Sequence, residues 1–368
     1  MTQSHLNQPY EMTLLPEHKA PSTRYQGSKE KIASWIWESI KDLGFDSFLD
    51  AFGGTGSVSW WAKRHGKEVL FNDVMRSNYY MGLAIIENEV IRLSKTDVDD
   101  LLAKHDFEGP GFIQETFRGI YFTDEENSWL DMIVANIKAH TDSYKRALAL
   151  SALFQSCIIK RPYNLFHRSN LYMRLANVKR GFGNKATWDT PFETHFRRFA
   201  EEFNSAVFSN GRRNRALNLD VFEIPSSLRL DLVYIDPPYF SETRGPTDYY
   251  FYYHFLEGLC EYVEKGVHAW SSLIDHERKP KPLRHNTPLE KKASPWTKAT
   301  TVHKAFDRLF ERFKDSILVV SYNSEGVPSE SQMVHLLRKY KRVVDVKRRK
   351  YRYALRPGNL DELLFIAT

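Results

Sequence analysis

Residues 47–73 constrain the fold more than any other part of the chain. Ser47-Phe48-Leu49-Asp50-Ala51-Phe52 reads as a strand, Gly53-Gly54-Thr55-Gly56-Ser57 as a tight turn, and Val58, Trp61 and Ala62 as one face of a helix. A second strand, Glu68–Asn72, ends at Asp73. From Ser77 to Leu93, apolar residues at Tyr79, Leu83, Ile86, Val90 and Leu93 repeat with helical spacing. Strand, glycine turn, helix, strand, helix is the signature of parallel strands joined by helical crossovers. An α/β fold with a doubly wound, Rossmann-like sheet is expected.

Between about residues 95 and 205 the strand signals vanish. Thr123-Asp124-Glu125-Glu126 is a capping box opening a helix whose apolar face is Trp129, Leu130, Ile133, Val134 and Ile137. Phe192, Phe196, Phe199, Phe203 and Val207 mark another helix. Strand character returns at Leu232–Ile235, Ile317–Tyr322, Arg342–Val346, Lys350–Tyr353 and Leu363–Ala367, with a helix near Glu330–Lys339. The expected organisation is a flexible N-terminus (1–20), an α/β domain assembled from 21–94 and 206–368, and a helical insertion (95–205). Residues 276–298 read as a proline-rich loop.

Composition narrows the setting. With 368 residues, 42% of them apolar and 27% charged, the chain has the balance of a soluble protein with a sizeable core. Only two cysteines occur, Cys157 and Cys260, so no disulfide framework is expected and a reducing compartment is the natural setting. The 13 histidines are scattered and form no HExxH pair, so no metal site is expected. Glu11, Glu17 and Lys19 interrupt any secretory pattern, and the longest apolar run, Ala147–Ile159, is too short to span a bilayer. The expectation is a cytoplasmic protein with no membrane partner. Its net charge of +6 suits a polyanion.

Chemistry concentrates at Asp236-Pro237-Pro238-Tyr239, directly after the apolar run Leu232-Val233-Tyr234-Ile235. Proline fixes φ and lacks an N–H, so the two prolines hold a rigid turn and leave carbonyls free to accept. A carboxylate and a carbonyl can take both hydrogens of one exocyclic amino group, while Tyr239 offers a flat face to its ring. That is the chemistry of methylating an amino group on a base. A plain strand-terminating turn is the alternative.

In the glycine turn, Gly54 and Gly56 allow a ligand close to the backbone. Asp73, placed at the next strand tip, suits ribose hydroxyls; a helix cap before Met75 is a compatible role. Neither GxGxxG nor GxxxxGK[ST] is complete, which favours a smaller nucleoside ligand over a dinucleotide or a triphosphate.

Together with Arg24-Tyr25-Gln26-Gly27-Ser28-Lys29 upstream and Ser321-Tyr322-Asn323 downstream, these motifs fall in one order along nearly the whole chain. In that order the chain resembles the alpha group of DNA amino-methyltransferases, the Dam-like N6-adenine methylases of restriction–modification systems and phages. The resemblance implies S-adenosyl-L-methionine as cofactor. Tyr25 and Lys29 would close over its methionine end, and Asp50, Phe52, Gly54 and Gly56 would shape its pocket. Asp73 would bind the ribose, Val74 would pack on the adenine, and Asp220-Val221 matches the position that contacts that adenine. Asp236 and the Pro237 carbonyl would accept the N6 hydrogens of a target flipped out of duplex DNA, with Pro238 and Tyr239 completing the site. A monomer with a cognate restriction endonuclease as partner is expected. N4-cytosine methylation, structured RNA as substrate, and a catalytically silent DNA-binding protein of the same fold are the alternatives.

Ser143 to Trp188 contains no acid in 46 residues but nine basic ones. Interleaved with Tyr163, Asn164, His167, Asn170 and Tyr172, this composition suits phosphate contact and base readout. The candidate DNA contacts are Arg161, Asn164, Arg168, Asn170, Lys179, Arg180 and Lys185. Two more basic stretches, 276–298 and 347–356, are secondary candidates.

Overall fold

The protein is described by a computed structural model over residues 18–104, 109–176, 185–225, 227–242, 245–275, 294–351 and 360–368. Nine strands occur among them: β1 (Ser47–Asp50), β2 (Glu68–Asn72), β3 (Arg215–Leu217), β4 (Leu232–Ile235), β5 (Phe240–Ser241), β6 (Gly245–Pro246), β7 (Ile317–Asn323), β8 (Val344–Tyr351) and β9 (Leu360–Ala367). Seven form one sheet in the order β3-β2-β1-β4-β7-β9-β8; β5 and β6 make a separate small hairpin. From β3 through β7 all pairings are parallel, and β9 runs antiparallel between β7 and β8.

The central strands are continuous apolar runs because helices cover both faces of the sheet. On one side Leu49, Val233, Ile235, Leu318 and Val320 pack with Phe306, Leu309 and Phe310 of the helix Ala299–Arg312. On the other, Phe48, Phe71, Tyr234 and Val319 join a core that continues through the helices of the insertion. The helix Ser143–Ile159 is buried at every position from Ala147 to Ile159, which explains its long apolar run. The sheet and the inserted helices therefore share one hydrophobic core. β8 is the outer strand, and its sequence Val-Asp-Val-Lys-Arg-Arg-Lys-Tyr carries the charge that discourages edge-to-edge pairing.

Several expectations are met closely. The capping box at Thr123 forms with both of its hydrogen bonds, and the phenylalanine stripe lies on the helix Phe192–Ala206 with Phe192, Phe196, Phe199 and Phe203 buried. Others are corrected. The helix expected over 77–93 spans Arg76–Gly82, widens into a π turn at Leu83–Glu87, and stops at Asn88. Here the buried Lys63 ammonium donates to the carbonyls of Ile85 and Asn88 (3.2 and 2.9 Å), drawing them away from helical pairing. Val90 is left exposed. The two strands expected at 342–346 and 350–353 are one, β8. Residues 18–20, part of the expected flexible end, are packed: the His18 ring lies 5.1 Å from that of Phe208. Expectations for residues 1–17, 276–293 and 352–359 lie outside the described residues. No helix among the described residues is long and apolar enough to cross a membrane.

Candidate active site

The parallel strands β2, β1 and β4 end at the same edge of the sheet, and each ends at an acid: Asp73 just after β2, Asp50 closing β1, Asp236 just after β4. In doubly wound sheets this crevice beyond the carboxyl ends of the strands is where ligands bind. It opens here into a cavity of about 870 Å³. Tyr25, Lys29, Asp50, Phe52, Gly54, Asp73, Val74, Asp220 and Val221 all line it, as do Asp236 and Pro238. Gly56 does not; it holds φ at 75° as the N-cap of the helix Ser57–Arg64, so its part is in the turn. Pro237 and Tyr239 also lie off the cavity wall.

Asp73 organises the glycine turn. One of its oxygens accepts the N–H of Gly54 at 2.8 Å and the amide of Asn78 at 3.1 Å, while the other accepts the N–H of Met75 at 2.8 Å. The helix Arg76–Gly82 takes Met75 as its N-cap without a side-chain cap, so the expected helix-capping role of Asp73 is corrected to a contact within the turn before it. Asp50 accepts the Ser59 hydroxyl at 2.6 Å. Burial pushes the Asp50 carboxyl up to about 7 and that of Asp73 up to about 6.

The segment 25–29 crosses the cavity and is clamped by aromatics. The Tyr25 ring stacks between those of Tyr253 (4.2 Å) and Tyr249 (5.6 Å), and Tyr253 Oη accepts the N–H of Gln26 at 2.8 Å. A Cβ at Gly27 would fall 2.2 Å from the Tyr249 hydroxyl, and its φ of +82° is also a glycine conformation. The clamp delivers Lys29, 7% exposed, into the acid cluster. Its ammonium lies 2.8 Å from Asp236 Oδ2 and 2.9 Å from the Tyr239 hydroxyl oxygen. The Tyr239 hydroxyl reaches Asp236 Oδ1 at 2.9 Å and Glu362 Oε1 at 2.8 Å. Burial pushes the Asp236 carboxyl up to about 6; Lys29 pulls it back and Glu362 adds to the rise. Buried acids with raised proton affinity around a cavity mark a functional site.

Sequence reasoning missed three contributors. Tyr249 carries no motif of its own, and only the fold turns its hydroxyl toward Gly27. Trp296 lines the cavity, edge-on to Phe52 at 5.2 Å and parallel to Phe222 at 6.2 Å, giving the ligand space an aromatic wall. Glu362 is wholly buried on β9. In sequence it is one acid before the strand Leu363–Ala367, and only the pairing of β9 with β7 sets it opposite the Ser-Tyr-Asn element.

The basic segment divides. Arg161 is 1% exposed and donates to the carbonyls of Leu165 (3.2 Å), Tyr121 (2.9 Å) and Arg168 (2.7 Å) and to Asn170 Oδ1, beneath the Tyr121 and Phe166 rings. Arg161 and Asn170 are corrections to the DNA-contact set: their polar atoms hold the 161–170 loop together from inside. Lys160 and Arg174 are likewise buried, sharing Glu126 at 2.8 and 2.6 Å. Arg168, Tyr163, Tyr172 and Leu175 are exposed, and Asn164 is half-buried. Lys185 is exposed and paired with Asp189 at 3.0 Å. Tyr163 and Asn164 both hold positive φ (62° and 60°), a strained pair of non-glycine residues that the buried Arg161 keeps in place. Lys179 and Arg180 lie outside the described residues. No cluster of His, Cys, Asp and Glu suited to a metal occurs among the described residues.

A doubly wound sheet with an acid-lined crevice, DPPY at its rim and an inserted helical lobe defines an amino-methyltransferase class. The chain belongs to the D12 class N6 adenine-specific DNA methyltransferase family, whose sequence profile matches residues 25–276. It is thus an adenine-specific DNA methyltransferase, which decides adenine over the N4-cytosine alternative. The chain is 35% identical over 247 residues to the Type II methyltransferase M2.HphI of Haemophilus parahaemolyticus, covering 65% of this chain and 71% of that protein. It is 26% identical over 362 residues to the Type II methyltransferase M.CviAII of Paramecium bursaria Chlorella virus 1, across 93% of this chain and 97% of its relative. To Modification methylase StsI of Streptococcus sanguinis it is 24% identical over 347 residues; these are 89% of this chain but only 48% of that longer protein.

Proposed function

We propose that the cavity binds S-adenosyl-L-methionine and that the rim at Asp236 receives an adenine flipped out of duplex DNA. The observation that carries this reading is the convergence of Asp50, Asp73 and Asp236 on one cavity at the carboxyl edge of the sheet. The cavity fits such a cofactor in chemistry. Its lining includes two buried polar atoms without a hydrogen-bond partner, Gln26 Oε1 and Asn78 Oδ1, next to the aromatic wall of Phe52, Trp296 and Phe222. Asp73 would take the ribose hydroxyls, Asp220 and Val221 with Val74 the adenine, and Tyr25, Lys29 and Asp50 the methionine end. Bound, the cofactor supplies an electrophilic methyl group.

The chain's own residues do the rest. Asp236 and the Pro237 carbonyl accept the two hydrogens of the target N6, which draws its lone pair out of conjugation with the ring and aims it. Stacking on Tyr239 offsets part of the unstacking cost, at ~1–3 kcal/mol per base. Positioning and electrostatics supply the rate, so no covalent nucleophile is required. Residues 95–205 would form the DNA-recognition lobe, with Asn164, Arg168 and Lys185 among its contacts. The protein would act in the cytoplasm as a monomer, alongside a cognate restriction endonuclease.

The experiment is calorimetry with S-adenosylmethionine on the wild type and Asp73→Ala. The reading expects binding by the wild type and affinity at least roughly tenfold weaker in the variant, since several polar contacts are lost at once. Absence of binding by the wild type, or unchanged affinity in the variant, contradicts it.

A further inference from the structure

Two acids, not one, surround Lys29 and Tyr239. Glu362, 0% exposed, sits on β9 opposite Asn323 of β7. Its Oε1 accepts the Ser321 hydroxyl at 2.7 Å, faces the Tyr239 hydroxyl at 2.8 Å, and lies 3.5 Å from the Lys29 ammonium. Asp236 faces the same two groups at 2.9 and 2.8 Å. A phenol has one proton, so Tyr239 donates to one acid at a time, and its distances to the two differ by only 0.1 Å (2.9 less 2.8).

A buried acid costs desolvation, and Asp236 alone would neutralise Lys29. Glu362 therefore needs a further reason. Both oxygens of Asp236 are engaged, Oδ2 by Lys29 and Oδ1 by Tyr239. Under the function proposed above, on which this inference rests, that same carboxylate must turn its lone pairs to the target amino group. We propose that Glu362 is a positioning residue that takes over the hydrogen bonds of Tyr239 and Lys29 when Asp236 engages the target adenine. No bond is made or broken in this handover; donors change acceptor. Ser321 fixes the Glu362 carboxylate so that it does not move.

The charged and titratable groups around Asp236 are Lys29, Glu362, Tyr239, Tyr234, Tyr249 and Asp50, and among them Glu362 helps raise its proton affinity while Lys29 and Tyr239 lower it. This supplies a readout that a packing role would leave unmoved. The test is single-turnover transfer of a tritiated methyl group from S-adenosylmethionine to duplex DNA across pH 5–9. It compares wild type, Glu362→Gln, Glu362→Asp, Tyr239→Phe and Asp236→Ala, with melting temperature and cofactor affinity measured for each.

Glu362→Gln should keep melting temperature and cofactor affinity near wild type. It should slow the single turnover by about 10²-fold, the scale of a misplaced reacting group, and move the acid limb of the profile to lower pH. Glu362→Asp, which restores the charge, should return the limb toward its wild-type position. Tyr239→Phe should move the limb the opposite way, to higher pH. A Glu362→Gln enzyme with wild-type rate and an unshifted limb overturns the inference. So does a variant whose stability and cofactor affinity fall together, or that fails to fold, unless Tyr239→Phe shifts the limb upward. An active Asp236→Ala would instead overturn the underlying reading of the site. Inactive Asp236→Ala beside an unaffected Glu362→Gln removes Glu362 alone.

Discussion

At the scale of single residues, Asp236 shows how a fold prepares a carboxylate. The apolar strand β4 carries it to the sheet edge, two prolines fix the turn after it, and burial raises its carboxyl to about 6 against the attraction of Lys29. The sign of the pH effect follows from its role. Asp236 must be ionised to accept an amino hydrogen, so below pH 6 it is protonated and competes as a donor. The single-turnover rate should therefore climb through about pH 6 and level off above it, a limb that rapid-quench measurements would locate. A limb at the ordinary aspartate position, near pH 4, would mean that Asp236 does not hold the reacting group. Asp73 and Lys29 were legible at this scale because short motifs carry them. Glu362 was not, because an acid in a strand reads as a surface group until β7 is paired beside it.

Among the elements, the acid-free segment 143–188 separates into an inside and an outside. Counting charge found the segment but could not sort it, since Arg161 and Arg168 look alike in sequence. The difference is tertiary: Tyr121 comes from another part of the chain, and Phe166 folds back from the same loop, to cover Arg161, whereas Arg168 is exposed. Arg161→Ala strands several buried acceptors, each costing ~1–3 kcal/mol, so it should destabilise the protein by about 3 kcal/mol in denaturant unfolding. Arg168→Ala should leave stability within about 0.5 kcal/mol. If Arg168 contacts a phosphate, it should also lower the salt slope of log K for duplex binding by about 0.9. Unchanged stability in the first variant would undo the structural role of Arg161; an unchanged slope in the second would move the DNA contact elsewhere. Likewise, β1, β2 and β4 were legible as apolar runs because both faces are covered, while β3, three residues with an arginine at its start, carries no such pattern.

Across the whole molecule, one sheet edge gathers what the chain spreads over more than three hundred residues. The 25–29 segment and the tips of β1, β2 and β4 meet around one cavity, and Glu362 on β9 reaches it from behind through Lys29 and Tyr239. Parallel order made the strand tips predictable, since successive parallel strands end on one side. The antiparallel return of β9 beside β7 was not predictable from pattern, and it is what closes the acid cluster. The shared core further ties the helices between β2 and β3 to the sheet that carries the site.

The central claim is methylation of adenine N6 at a site governed by Asp236. The direct measurement is to incubate unmethylated plasmid DNA with S-adenosylmethionine and either wild type or Asp236→Ala, then map modified bases by single-molecule sequencing and identify them by nucleoside mass spectrometry. The account predicts N6-methyladenine at one recurrent sequence with the wild type, and a loss of at least ~10²–10³-fold in rate with the variant. N4-methylcytosine, no modification with the wild type, or near-wild-type turnover by Asp236→Ala would contradict it.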